Sequence, residues 1–128
     1  MKTNYIDIDD GKWGIVLVTD FDSEDEVELE AIMESFGLKR KKARHALKVL
    51  ATPNSGMAIS NDIFRMSVVL IGHATSKGQF INSIAHENAH VAAAIVDYYG
   101  EPCDGESMAY LSGYLMQKVM EEIGDFAF

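Results

Sequence analysis

One cysteine and two prolines in 128 residues leave this chain few covalent or rigid constraints. The single thiol, Cys103, excludes an intrachain disulfide and fits a reducing compartment. No run of about 18 apolar residues occurs, so no membrane span is expected. The first residues, Met1 to Asp7, lack the apolar core of a cleaved signal and turn acidic at once. A cytoplasmic location is the expectation. Basic residues are also scarce. Eleven Lys and Arg face twenty Asp and Glu, a net charge of −9, which argues against a nucleic-acid surface as the main function. Repeats, low-complexity stretches and long linkers are missing, so residues 1–128 are expected to form a single domain. The apolar content, 48%, suffices for a real core.

The elements expected from the pattern are mixed. Residues 4–9 and 12–19 are β-rich runs separated by Asp10-Gly11, a hairpin signal. Ser23 and Glu26 have capping-box spacing ahead of Val27, Leu29, Ile32, Met33 and Phe36, which predicts a helix over about 24–36. A second helix is predicted over about 39–51, stopped by Thr52-Pro53, followed by a turn at Asn54-Ser55-Gly56. Met57 to Ser60 reads as a short strand and Ile63 to Ile71 as a stronger one. Thr75 or Ser76 can cap a helix over about 77–99, with Gly100 as its stop. Asp104 can cap a last helix over about 105–123.

The chemistry concentrates in His86-Glu87-Asn88-Ala89-His90, an H-E-x-x-H pentad inside the 77–99 helix. Positions i and i+4 fall on one line of a helix, so two imidazoles can hold one metal ion from the same face. Glu87 projects beside them, where it can act on a water. Ile84, Val91, Ile95 and Tyr98 form an apolar stripe roughly opposite the histidines. An Ala-rich, amphipathic helix of this kind is expected to be central, with its histidines facing a partly buried cavity. Hydrolytic zinc usually has three protein ligands and one open position. Glu106, 16 residues after His90 and in the first turn of the last helix, is the candidate third ligand. Glu101 and Asp104 are loop rivals.

His86-Glu87-x-x-His90, a short connection, then Glu106-x-x-Ala109-Tyr110 on a second helix resembles the gluzincin branch of zinc metallopeptidases. The size and element order are most similar to the minigluzincins. The arrangement is also similar to small proteins of gut-bacterial phages and mobile elements. The resemblance covers about residues 63–118, and the first 55 residues carry no part of it. It implies an α+β, zincin-like fold: a small antiparallel or mixed sheet, an H-E-x-x-H active-site helix, and a following helix with a Glu ligand. It implies one zinc ion per chain on His86, His90 and Glu106, with Glu87 as general base. It further implies that strand 63–71 borders the cleft and aligns an extended peptide or protein substrate. Where gluzincins often place an Asp behind a His ligand, this chain has Tyr110. That hydroxyl can donate to a ligand or to a developing oxyanion, or can belong to a core aromatic residue.

The expected function is therefore zinc-dependent peptide hydrolysis, on general substrates or on one regulatory protein of a mobile element. The alternative is a non-enzymatic phage or mobile-element interaction module on the same fold, with or without metal. The Lys39–Arg44 basic patch is expected to be a solvated helix face rather than a contact for nucleic acid or an acidic partner. The Asp125–Phe128 tail is expected to dock on the core or plug the cleft.

Overall fold

The computed structural model describes residues 1–124. The expectation that the Asp125–Phe128 tail docks on the core or plugs the cleft concerns residues outside those described.

Two strands, β1 (Lys2–Ile8) and β2 (Trp13–Thr19), form the expected antiparallel hairpin. Its turn takes Asp9, Asp10 and Gly11 through positive φ, and the Gly11 amide donates to Asp7 Oδ1 at 3.0 Å. Helices α1 (Glu26–Ser35) and α2 (Arg40–Leu50) follow. Next come strands β3 (Gly56–Asn61) and β4 (Met66–Ile71), then the long helices α3 (Lys77–Tyr99) and α4 (Gly105–Ile123). Among the described residues the protein is thus an α+β fold of four α-helices and one mixed four-stranded sheet.

The sheet order is β1-β2-β4-β3. β4 pairs in parallel with β2 and antiparallel with β3. Because strand side chains alternate between faces, the two faces of β4 serve different cores. Val69 and Ile71 join Ile15, Leu17, Ile84, Val91, Ile95 and Leu115 under α3 and α4. Val68 and Leu70 join Val18, Leu29, Met33, Ala46 and Leu50 under α1 and α2. The apolar run Val68–Ile71 of β4 reflects burial on both faces. One polar group in this interior, Ser67, is satisfied: Trp13 Nε1 donates to its Oγ at 2.9 Å, and Ser60 Oγ lies 2.7 Å from it.

Two sequence expectations are corrected. The strand expected over 63–71 begins only at Met66. Asn61 and Asp62 impose a reverse turn, with the Phe64 amide donating to Asn61 Oδ1, the Arg65 amide to Asp62 O, and Arg65 at φ 51°. Ile63 and Phe64 are exposed in that turn despite their apolar character. The strand is also interior, so the free sheet edge beside α3 belongs to β3. The capping box sits one residue earlier than expected. Asp22 accepts from the Glu24 amide, and Asp25 accepts from the Asp22 amide, opening a short 3-10 turn at Ser23–Asp25 before α1. Asp competes well for this role because its carboxylate meets the unsatisfied amides of a helix start.

The helices that frame the site end where the sequence indicates. Ser76 Oγ accepts from the Gln79 amide, and Gly100 closes α3 in the left-handed region at φ 63°. Asp104 Oδ1 accepts from the Ser107 amide and starts α4.

Candidate metal centre

The pentad lies in the middle of α3 and spans a little over one helical turn. Ile84, Val91 and Ile95 point into the core, as the apolar stripe requires, whereas Tyr98 is partly exposed. His86 and His90 lie on the exposed face among Ala85, Ala89 and Ala93, not in a buried cavity. The expected amphipathicity is right in its core half. The histidine side is open because, among the described residues, no neighbouring element buries that arc of α3.

The two imidazoles are stacked edge to face, their centroids 5.1 Å apart. Ligand atoms of His86, Glu87 and His90 all lie within 4.8 Å of one another. Their chemistry fits a divalent transition metal, since two imidazoles one helical turn apart suit zinc. Glu87 is 4% exposed and packs toward β3. Burial raises its carboxyl pKa above the ordinary value, and the nearby His86 and His90 oppose that rise. A carboxylate shifted in this direction is a stronger proton acceptor once ionised.

Gly56, at the start of β3, makes this position of Glu87 possible. A Cβ there would lie 3.1 Å from Glu87 Cγ and 3.3 Å from the Leu70 carbonyl oxygen. Sequence reading placed Gly56 in a turn and gave it no part in the site. Only the pairing of β3 beside α3 reveals that the residue must be small. Asn88 is a second such residue. It is 1% exposed, its Nδ2 reaches Met116 Sδ at 3.0 Å, and its Oδ1 has no hydrogen-bond partner among the described residues.

The structure does not bring Glu106 into the cluster. Glu106 is exposed in the first turn of α4, and the cluster of possible ligands comprises His86, Glu87 and His90 alone among the described residues. The reason is the length of α3. The helix runs about nine residues beyond His90 before Gly100 turns the chain, ~13 Å at 1.5 Å per residue. The Asn88–Met116 contact fixes the register of the returning helix. Glu106 precedes Met116 by about ten residues, ~15 Å along the axis. The loop rivals fare no better: Glu101 is paired with Lys12 Nζ at 2.8 Å, and Asp104 caps α4. Tyr110 is 77% exposed and has no hydrogen bond to the three clustered residues. His73 is exposed in the loop between β4 and α3, and Cys103 is an exposed free thiol before α4.

Changing Glu106 to Gln is accordingly expected to alter zinc affinity by less than about twofold. Competition titration against a chromophoric chelator measures this. A loss of about tenfold or more, the scale of removing a group that supports a metal site, would return Glu106 to the ligand set.

Comparison of the chain with family models, curated proteins and solved structures finds no match. No helix among the described residues is long and apolar enough to cross a membrane.

Proposed function

We propose that the chain is a small zinc-dependent hydrolase of peptide bonds, of zincin-like type, acting through His86, Glu87 and His90. The observation that carries this reading is the division of labour within one helical turn: two solvent-facing imidazoles and, between them, a buried carboxylate within 4.8 Å. His86 and His90 would hold the metal. Zinc, when bound, supplies Lewis acidity that polarises a scissile carbonyl and acidifies water. Glu87 accepts the proton of the attacking water and returns it to the leaving amine. Its contact with β3 restrains the carboxylate, so the proton acceptor is held in place before substrate arrives. The open histidine face admits an extended chain, and the free edge of β3 can align it by main-chain hydrogen bonds.

One observation favours a second reading. Among the described residues only two histidines and the proposed base gather at the site. A centre with two protein ligands can instead mediate a metal-dependent contact with another macromolecule, making the protein an interaction module of a phage or mobile element. Digestion of a denatured protein by the zinc-loaded chain and by its Glu87→Gln variant separates the two. Cleavage by the parent alone supports hydrolysis. Equal cleavage by both preparations rejects Glu87 as the base, and no cleavage by either favours the module.

A further inference from the structure

The second face of the β3 edge carries a feature that the metal centre does not use. A groove of about 670 Å³ runs between α2 and the start of β3. Its floor is apolar, formed by Leu38, Ala46, Val49, Leu50 and Met57. Its rim is basic, with Lys41, Lys42 and His45 exposed. From Lys39 to Ala51 there is no acidic residue, in a chain whose net charge is −9.

Four cations near the start of this segment divide into two groups. Arg40 and Arg44 turn toward α1 and pair with Glu30 at 3.2 and 3.7 Å, with Glu34 also 3.9 Å from Arg40. Lys41 and Lys42 have no ion-pair partner among the described residues. The basic patch is therefore only half a solvated face balanced by α1. Its other half borders an apolar groove and is electrostatically unspent.

Gly56 joins the two regions. It lines the groove, and the position a Cβ would take on it faces Glu87 on the other side of the sheet. A strand added to the free edge of β3 would send alternate side chains to the two sheet faces. Those on one face would approach Glu87 and the histidines. Their neighbours would enter the α2 groove, where apolar atoms meet the floor and carboxylates meet Lys41 and Lys42.

We infer that the groove between α2 and β3 is a docking surface for an extended acidic peptide segment with apolar residues at alternate positions. This inference deepens the hydrolase reading and rests on it for the statement that the docked segment belongs to the substrate. Charge complementarity selects the occupant. The acidic remainder of the protein repels such a segment elsewhere, whereas the unpaired lysines attract it here. The free edge of β3 selects an extended chain over a helix.

The test is fluorescence anisotropy with a labelled peptide alternating Val or Leu with Asp or Glu, beside a control peptide with Lys at the acidic positions. The protein is the full chain carrying Glu87→Gln, which prevents turnover. The acidic peptide is expected to bind and the basic control to bind at least about tenfold more weakly. Lys41→Glu with Lys42→Glu is expected to weaken the acidic peptide about tenfold or more and to abolish its loss of affinity with rising salt. Circular dichroism checks that this exposed double variant remains folded. Hydrogen exchange with the acidic peptide bound is expected to show new protection over residues 56–61.

Equal binding of both peptides, unchanged affinity in the lysine variant, or protection away from β3 and α2 would each overturn the inference. Tighter binding of the same composition arranged as an amphipathic helix would overturn the extended form. Binding is also measured with His86→Ala and His90→Ala together. Retained groove binding there, with no cleavage by the zinc-loaded parent, removes the hydrolase reading and leaves the docking surface. Cleavage without any acidic preference removes the docking surface and leaves the hydrolase.

Discussion

Glu87→Gln is expected to lower peptide hydrolysis by about 10²–10⁴-fold, the usual contribution of a positioned general base. Zinc affinity should remain near that of the parent. The two side chains have nearly the same shape, so the amide keeps the packing against β3. It cannot accept the water proton at neutral pH. The separation of these effects is the informative result. Loss of zinc together with activity would mean that Glu87 serves as a ligand. Retention of both would mean that the proton passes elsewhere. The two histidines lie on the exposed side of α3 while Glu87 is buried, so substitution at 87 leaves the imidazoles free to bind.

Gly56→Val is expected to reduce hydrolysis by about 10²-fold, the scale of a misplacement of about 1 Å at a reacting group. A Cβ at position 56 would already meet Glu87 Cγ at 3.1 Å and the Leu70 carbonyl oxygen at 3.3 Å. The backbone oxygen is fixed by the sheet, so the Glu87 side chain must yield. The added methyls of Val enlarge the displacement, while β-branching itself suits a strand. Zinc stoichiometry should not change, because His86 and His90 lie on the exposed face of α3. Gly56→Ala should have a smaller effect in the same direction. Activity of the Val variant equal to that of the parent would separate Glu87 placement from the β3 contact. Steady-state hydrolysis and zinc content measured on the same preparations check both expectations.

Local signals in the sequence specified the helices well. Ser76, Gly100 and Asp104 marked the ends of α3 and α4 because capping and left-handed closure depend on a few neighbouring atoms. The H-E-x-x-H grouping was likewise legible, since i and i+4 geometry is internal to one helix. Sheet order was not. The insertion of β4 between β2 and β3 depends on pairings between distant segments, and a single apolar run cannot identify its neighbours. That shifted the expected substrate edge from β3 to residues 63–71. Ile63 and Phe64 were read as strand because their apolar character outweighed the turn chemistry of Asn61-Asp62.

Glu106 illustrates a different limit. Its spacing from His90 satisfied a motif, but spacing along the chain is not distance. The helix rise and the stop at Gly100 already implied that α4 must travel back along α3 before reaching the histidine level. The position of Gly56 against Glu87 carried no comparable local signal. It follows from tertiary packing between a strand edge and a helix.

Zinc stoichiometry of the purified chain, measured by mass spectrometry of elemental zinc after equilibrium dialysis, tests the central claim most directly. The parent is expected to retain one zinc per chain at neutral pH, and His86→Ala and His90→Ala are each expected to lose it. Glu87→Gln should retain it. A folded parent that binds no zinc, or a His86→Ala, His90→Ala double variant that binds as much zinc as the parent, would contradict the account.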